Sequence, residues 1–338
     1  MTTHSPAPPS LDIVIVNWNT GPYLGRCLDS IATADHSKLR PGTVVVVDNA
    51  STDRSLLVAQ ASPGVTVLTN DRNRGFATAC NQGARIGRSD FLLFLNPDAE
   101  LEFDTLTQLH ACMNSSAAHR AGVFGAQMVN RAGDRQSSCS RFPTLWLAAV
   151  EMTGLSRVAP RVFPRRHLSP SESSAGGMVD QVIGSFFVVS RELFELLDGF
   201  DERFFVYYED VDFAYRARAV GRPCYFCPNV RVYHEGGVSS DRLPAMRLYY
   251  SLRSRTEFAR KHWPRWQCAS LVGLILTIEI PARLSIAVVR KELRDTARGS
   301  LLFARYVVDL APSPTSPRTT AGSRRWYRSP LRRSRRKS

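Results

Sequence analysis

The sequence predicts an α/β protein with a mostly parallel central sheet flanked by helices, on three observations. Short unbroken apolar runs, "LDIVIV", "TVVVVD", "VTVL" and "FLLFL", recur from residue 11, and such runs mark strands buried on both faces. Stretches with helical spacing separate them, as crossover helices do. Polar residues stand just past the strand exits, at Asn17 and Asn19, Asp48 and Asn49, and Asn96 and Asp98. Ligands bind at that edge in sheets of this kind.

In order, "LDIVIV" is the first strand, and Tyr23, Leu24, Leu28 and Ile31 fall on one face of the helix after it. "TVVVVD" is a strand, Thr52 to Ala61 a helix, "VTVL" a strand, Ala77 to Gly87 a helix and "FLLFL" a strand. Taken singly, each polar exit reads as a turn former or cap, and "DNASTD" as a turn with Ser51 or Thr52 starting the helix. Three exits of one kind point instead to a shared site. No G-x-x-x-x-G-K-[ST] loop is present and no G-x-G-x-x-G follows the first strand, which argues against a P-loop NTPase or an NAD enzyme. The phosphates of a bound nucleotide would then need a divalent cation, and Asp98 is the candidate to hold it.

Residues 130–180 are rich in Arg, Ser, Pro and Gly and predict loops and short helices. "QVIGSFFVVS" reads as a strand whose glycine, Gly184, permits a close approach. Ser190 caps a short helix, "RELFELLD", that Gly199 can end. A helix from near Glu209 to Gly221 follows, and then a strand, "PCYFCPNVRVYH", with His234 at its end. Asp212 lies four residues before Arg216, an ordinary helical ion pair whose loss costs about 0.5 kcal/mol. At about 100° per residue Asp210 and Asp212 point to different sides, so only one can face a given site. Spacing leaves His234 either a hydrogen-bonded histidine beside "EGG" or a metal ligand, and does not bring it to Asp98.

The chain has 338 residues and a formal charge of +14. Nine Lys/Arg and no acids lie in 312–338, so the basic character belongs to a tail that its Pro/Ser/Arg composition predicts to be disordered. The cysteines are odd in number and scattered, and "MTTHSPAPPS" lacks the basic and apolar regions of a signal peptide. A reduced, cytoplasmic protein is expected, with Cys224 and Cys227 as core residues rather than a metal or redox pair.

The ordered set "DIVIVNWNT", "VVVVDNASTD", "NRGFATACNQG", "LFLNPDA", "GSFFVVSRELFELLDGFDERFFVYYEDVDFAYRARAVG" and "VYHEGGVSS" resembles the family 2 inverting glycosyltransferases, of GT-A type. Within them it is similar to the bacterial rhamnosyltransferase-like branch that builds cell-wall and surface polysaccharides. The resemblance covers about residues 11–240. It implies that Asn17 and Trp18 hold the nucleotide base, that Asp48 hydrogen-bonds it, and that Asn73, Arg74 and Gly75 bind the donor. It implies Asp98 as the last acid of the metal motif, His234 as the histidine completing coordination, and Asp210 as the catalytic base. Asn96 stands where many members have Asp, one charge fewer on the donor side. Gly184 and Glu209 are expected on the acceptor side. The implied cofactor is Mg²⁺ or Mn²⁺, and the implied partners are a dTDP- or UDP-sugar and a lipid-linked or polysaccharide acceptor.

Residues 268–289 are the most apolar stretch, but Glu279, Pro281 and Arg283 interrupt them. They are expected to form a pair of helices in the membrane interface, with Arg283, Arg290, Lys291 and Arg294 towards headgroups, or else a buried packing helix. The basic tail suits an anionic membrane surface, and a position on the inner face of the cell membrane follows. Nucleic acid is not expected, because no nucleic-acid fold signature accompanies the tail. The organisation is then a disordered 1–10, a nucleotide-sugar half at 11–110, an acceptor half with the base at 111–262, membrane-associating or packing helices at 263–311, and the tail at 312–338. A sugar-phosphate nucleotidyltransferase is the second enzyme class, but it would want a Gly/Arg-rich loop where "VNWNTGPYL" stands. A non-enzymatic membrane- or RNA-binding protein using the tail is the third reading.

Overall fold

Strands that are apolar on both faces need a hydrogen-bonded neighbour at each edge and a helical layer above and below. The computed structural model describes residues 8–236 and 243–310 and supplies both. The first part alternates β1 (Ser10–Asn17), α1 (Tyr23–Thr33), β2 (Arg40–Asp48), α2 (Ser55–Ala61), β3 (Val65–Thr69), α3 (Phe76–Ala84) and β4 (Phe91–Leu95). Next come β5 (Ala99–Leu101), α4 (Thr105–Met113), β6 (Val123–Val129), β7 (Cys139–Ser140), α5 (Leu145–Met152), α6 (Leu155–Val158), β8 (Gly177–Val179), β9 (Gln181–Val182) and β10 (Phe186–Ser190). Then α7 (Arg191–Leu196), α8 (Glu209–Ala219), β11 (Cys224–His234), α9 (Pro244–His262), α10 (Arg265–Leu274), α11 (Ile280–Arg290) and α12 (Leu293–Leu310) complete the described chain.

One sheet runs in the order β3-β2-β1-β4-β10-β6-β11-β5, with β8 joined to β11. β1 to β4 are parallel, β10 is antiparallel to both its neighbours, and β6 and β11 are parallel. Leu24, Leu28 and Ile31 of α1 pack on one face of this sheet. Ala77 and Cys80 of α3, with Phe213 and Ala217 of α8, pack on the other. A third cluster joins α5 to the helices α9–α12.

Four expectations are corrected. The helix expected at Thr52 begins at Ser55, and its N-cap residue makes no side-chain cap bond; Ser51 is drawn instead towards Asn17 and Asn19. "QVIGSFFVVS" is two strands, β9 and β10, broken at Ile183–Ser185. Cys227 is not a free core cysteine: it is bonded to Cys112 across 115 residues, because β11 lies against α4, a long-range pairing that sequence spacing does not show. Finally, α10, a π-helical turn at Ile275–Glu279 and α11 form one continuous helix, Arg265–Arg290, rather than a pair. By length and composition this helix is long and apolar enough to cross a membrane. One edge of it, including Leu271, Ile275, Glu279 and Ala287, is buried against the rest of the protein. Glu279 pairs there with Arg255 of α9 and, along its own helix, with the half-exposed Arg283. The expectations for 312–338, for most of residues 1–10 and for the end of "VYHEGGVSS" lie outside the described residues.

Candidate active site

Four strand exits, those of β1, β2, β4 and β11, and one helix start converge on a cavity of about 870 Å³. The first group forms because "NPDA" is a turn sequence, with Asn at its first position and Pro at its second. The turn closes through the Ala99 N–H to the Asn96 carbonyl at 3.1 Å, and the chain re-enters the sheet as β5. β5 pairs antiparallel with β11 in a register that sets His234 opposite Ala99. His234 Nε2 therefore lies 3.5 Å from Asp98 Oδ1 and 3.4 Å from Asn96 Nδ2. The Gly236 N–H donates to Asp98 Oδ2 at 3.1 Å. Burial pushes the Asp98 carboxyl up, but His234 and the backbone donors outweigh it and hold the group below its ordinary value.

The second group sits at the start of α8. Tyr207 and Tyr208 both take positive φ, 67° and 71°, a region bulky residues rarely occupy and one that clusters at functional sites. This turn brings Glu209 and Asp210 to the cavity wall. Asp210 Oδ2 accepts from Gln181 Nε2 at 2.9 Å and from the Gly184 N–H at 3.0 Å, while Oδ1 accepts from the Val211 N–H at 2.8 Å. Glu209, 6% exposed, has no partner for its buried Oε2. Burial raises both groups, Glu209 strongly and further through its charged neighbour Asp210, whereas the charge of Arg166 opposes the rise at Asp210. Three N–H donors oppose the rise at Asp210, whereas at Glu209 a single backbone hydrogen bond does so, so Glu209 is the more strongly raised of the two.

The two groups are joined by a single segment. Ser185 O accepts the Asn96 N–H at 3.0 Å, and the preceding Gly184 donates to Asp210. A Cβ at Gly184 would stand 3.1 Å from Asp210 Oδ2, so the glycine keeps this approach open.

Of the residues expected from sequence, Trp18, Asn73, Asn96, Asp98, Gly184, Glu209, Asp210 and His234 line the cavity. Asn17 and Asp48 stand behind the wall, fully buried. Paired across β1 and β2, they meet at 2.6 Å, and Asn17 also holds Ser51, Ser55 and Thr20. Arg74 turns outward to Asp71 at 2.8 Å. Gly75, at φ 89°, lets the chain pass Phe205, whose carbonyl accepts the Phe76 N–H at 2.6 Å. Asp212 is absent from the wall: it is tied to Arg216, Lys261 and His262 on the other side of α8.

Sequence reasoning passed over Arg166, which lies in the loop-rich stretch with no motif around it, and Gln181, which was read only as the start of the strand "QVIGSFFVVS". It passed over Asn49, Phe205 and Tyr250 as lining residues, although Asn49 was visible as a strand exit. Phe205 and Tyr250 stack at 4.6 Å between centroids, which seats α9 under the Phe205–Tyr208 turn.

The Asn96, Asp98 and His234 donor set fits a divalent cation only in part. Among the described residues no three His, Cys, Asp or Glu side chains gather. One carboxylate, one imidazole and one amide, whose oxygen a flip would present, make an open site of the kind that leaves positions for water and phosphate oxygens.

Residues 12–149 match the family described as Glycosyl transferase family 2. The chain is 29% identical over 309 residues to the N-acetylglucosaminyl-diphospho-decaprenol L-rhamnosyltransferase of Mycobacterium tuberculosis, covering 86% of this chain and 96% of that protein. It is 25% identical over 250 residues to the low-salt glycan biosynthesis hexosyltransferase Agl10 of Haloferax volcanii, covering 72% of this chain and 74% of that one. In fold it is similar to the mannosyltransferase PcManGT of Pyrobaculum calidifontis, solved with GDP-Man and Mn²⁺, at a TM-score of 0.51 and 18% identity over 90% of this chain and 88% of that chain.

Proposed function

We propose that the chain, whose residues 12–149 match Glycosyl transferase family 2, transfers a sugar, rhamnose by preference, from a nucleotide diphosphate to a hydroxyl of a lipid-linked saccharide. The observation that carries this reading is that one cavity holds both a cation-fitting cluster, Asn96, Asp98 and His234, and a carboxylate, Asp210, organised by three N–H donors. The preference for rhamnose and for a lipid-linked acceptor rests on the mycobacterial relative.

The donor's base lies against Trp18, Asn49 and Asn73, with Asn17 and Asp48 bracing that wall from behind. Its diphosphate reaches Asn96, Asp98 and His234, which would hold the divalent ion, Mg²⁺ or Mn²⁺. When bound, that ion neutralises the charge developing on the leaving diphosphate. The acceptor enters along Gly184, Glu209 and Tyr208. Both lone pairs of Asp210 Oδ2 facing the protein are engaged by Gln181 and Gly184, whereas Oδ1 carries a single bond from Val211 and keeps room for a proton. As the acceptor oxygen bonds to the anomeric carbon, its proton passes to Oδ1 and the diphosphate departs with the electron pair of the broken C–O bond. One displacement inverts the anomeric centre. Glu209, on the cavity wall with an unpartnered Oε2, is placed to hydrogen-bond sugar hydroxyls.

The exposed apolar residues Ile286, Val288 and Val289, near Arg290, Lys291 and Arg294, with Trp266 at the other end of the same helix, support a place on the membrane surface, where a lipid-linked acceptor would be met. The deciding experiment incubates the purified protein with Mn²⁺, a panel of sugar nucleotides and a lipid-linked saccharide. Transfer with inversion from one donor is the expected result. Asp210→Asn should reduce it by roughly 10² to 10⁴ while metal-dependent nucleotide binding survives. Retained transfer in that variant would remove Asp210 as the base.

A further inference from the structure

We infer that Arg166 and Gln181 form a positioning relay for Asp210, fixing which of its oxygens meets the acceptor and holding it ready to take the proton. This rests on the reading of Asp210 as the base. Arg166 Nη2 donates to Gln181 Oε1 at 2.8 Å, and this defines the orientation of the Gln181 amide. Its Nε2 then faces Asp210 and donates to Oδ2 at 2.9 Å. Without the guanidinium, the amide could turn over and present its oxygen to the carboxylate, replacing an attraction with a repulsion.

Arg166 is suited to the task because among the described residues no carboxylate pairs with its guanidinium, whose other polar contact is His167 Nε2 at 3.5 Å. The α8 arginines Arg216 and Arg218, by contrast, have carboxylate partners in Asp212 and Asp180. Arg166 makes no ion pair with a described residue; its ring contact is Tyr208, with the guanidinium 5.2 Å from the ring centroid. Its backbone N–H is anchored by Glu151 Oε1 at 2.9 Å, which holds the loop in place. Both Arg166 and Gln181 line the cavity with Asp210.

Among the described residues, Arg166 is the charged group that most favours an ionised Asp210. Glu209 precedes it on α8, its carboxyl raised by burial and by Asp210 itself; Cys224 of β11 is buried with its thiol pushed up to about 12. Asp180, beside β9, is paired with Arg218, and His167 donates or accepts at Ser140. The Arg166 charge is the largest influence opposing the burial of Asp210. Removing it should raise the pH at which Asp210 becomes competent, because a base already raised by burial would rise further.

The test measures kcat/KM for transfer against pH in the wild type and in Arg166→Met, Arg166→Lys and Gln181→Met. In Arg166→Met and Gln181→Met the acid limb should move to higher pH, with a deficit of about tenfold or more at the acid end that narrows as pH rises. Arg166→Lys should keep the limb near its wild-type position. Donor-nucleotide affinity should be unchanged in all three, which also reports that they fold; if Arg166→Met does not fold, Gln181→Met decides. A loss that is flat with pH and lies wholly in the acceptor KM would overturn the relay and make Arg166 an acceptor contact. An inactive Asp210→Asn beside an unshifted Arg166→Met removes the relay alone, whereas an active Asp210→Asn removes the base assignment beneath it.

Discussion

Asp210 and Asp212 are two residues apart on one helix and belong to different parts of the molecule. Asp212 is fully buried and bound by Arg216 at 2.7 Å, Lys261 at 2.6 Å and His262 at 2.7 Å. The helical ion pair expected from spacing is there, but the two partners from α9 make its loss far costlier than the roughly 0.5 kcal/mol scale of an exposed pair. Asp212→Asn should cost about 3–5 kcal/mol, read by denaturant unfolding, with nucleotide binding retained wherever the variant is folded. Burial raises this carboxyl, but His262, Arg216 and Lys261 outweigh it and hold it below its ordinary value. Its contribution to stability is therefore complete above the unfolded-state carboxylate range and is lost as pH falls through the lower folded value. In the wild type an acid-unfolding transition should steepen there; an Asp212→Asn variant with the same acid midpoint would refute this. At the cation cluster, Asn96→Asp adds one negative charge beside Asp98, and Mn²⁺ should bind more tightly by calorimetry. His234→Ala should weaken it.

At the scale of elements, a turn and a register assemble the cluster. "NPDA" turns β4 into β5, and the β5–β11 pairing places His234 opposite Ala99. The turn chemistry was legible because Asn and Pro prefer those turn positions; the partner of β5 was not, because a three-residue strand carries too little pattern to select one. Gly75 is a second such point. Its φ is 89°, and a Cβ there would lie 2.6 Å from the Phe205 carbonyl. Gly75→Ala should destabilise the protein by about 1–3 kcal/mol and weaken donor binding, because the Asn49 side chain donates to the Gly75 carbonyl at 3.2 Å. Unchanged donor affinity in a folded Gly75→Ala protein would show that this loop does not shape the donor wall.

At the scale of the whole molecule, α9 joins the α/β sheet and its cavity to the helices beyond it. It lines the cavity through Met246, Arg247 and Tyr250, while its Arg255 meets Glu279 on the long apolar helix. Removing 312–338 should leave transfer to a soluble acceptor intact and reduce recovery on vesicles containing anionic lipid; equal recovery on neutral and anionic vesicles would count against the membrane role of the tail. By itself the sequence determined the alternating α/β layout, the sheet edge carrying the polar exits, and the opposite facing of Asp210 and Asp212, because periodicity and turn preference are local properties of the chain. Only the tertiary structure decided that His234 meets Asp98, that Arg166 stands behind Gln181, that Asn17 and Asp48 brace rather than line the cavity, and that Cys112 reaches Cys227. Those contacts span long stretches of chain and depend on strand order and helix packing, which arise from how separate apolar faces are buried together.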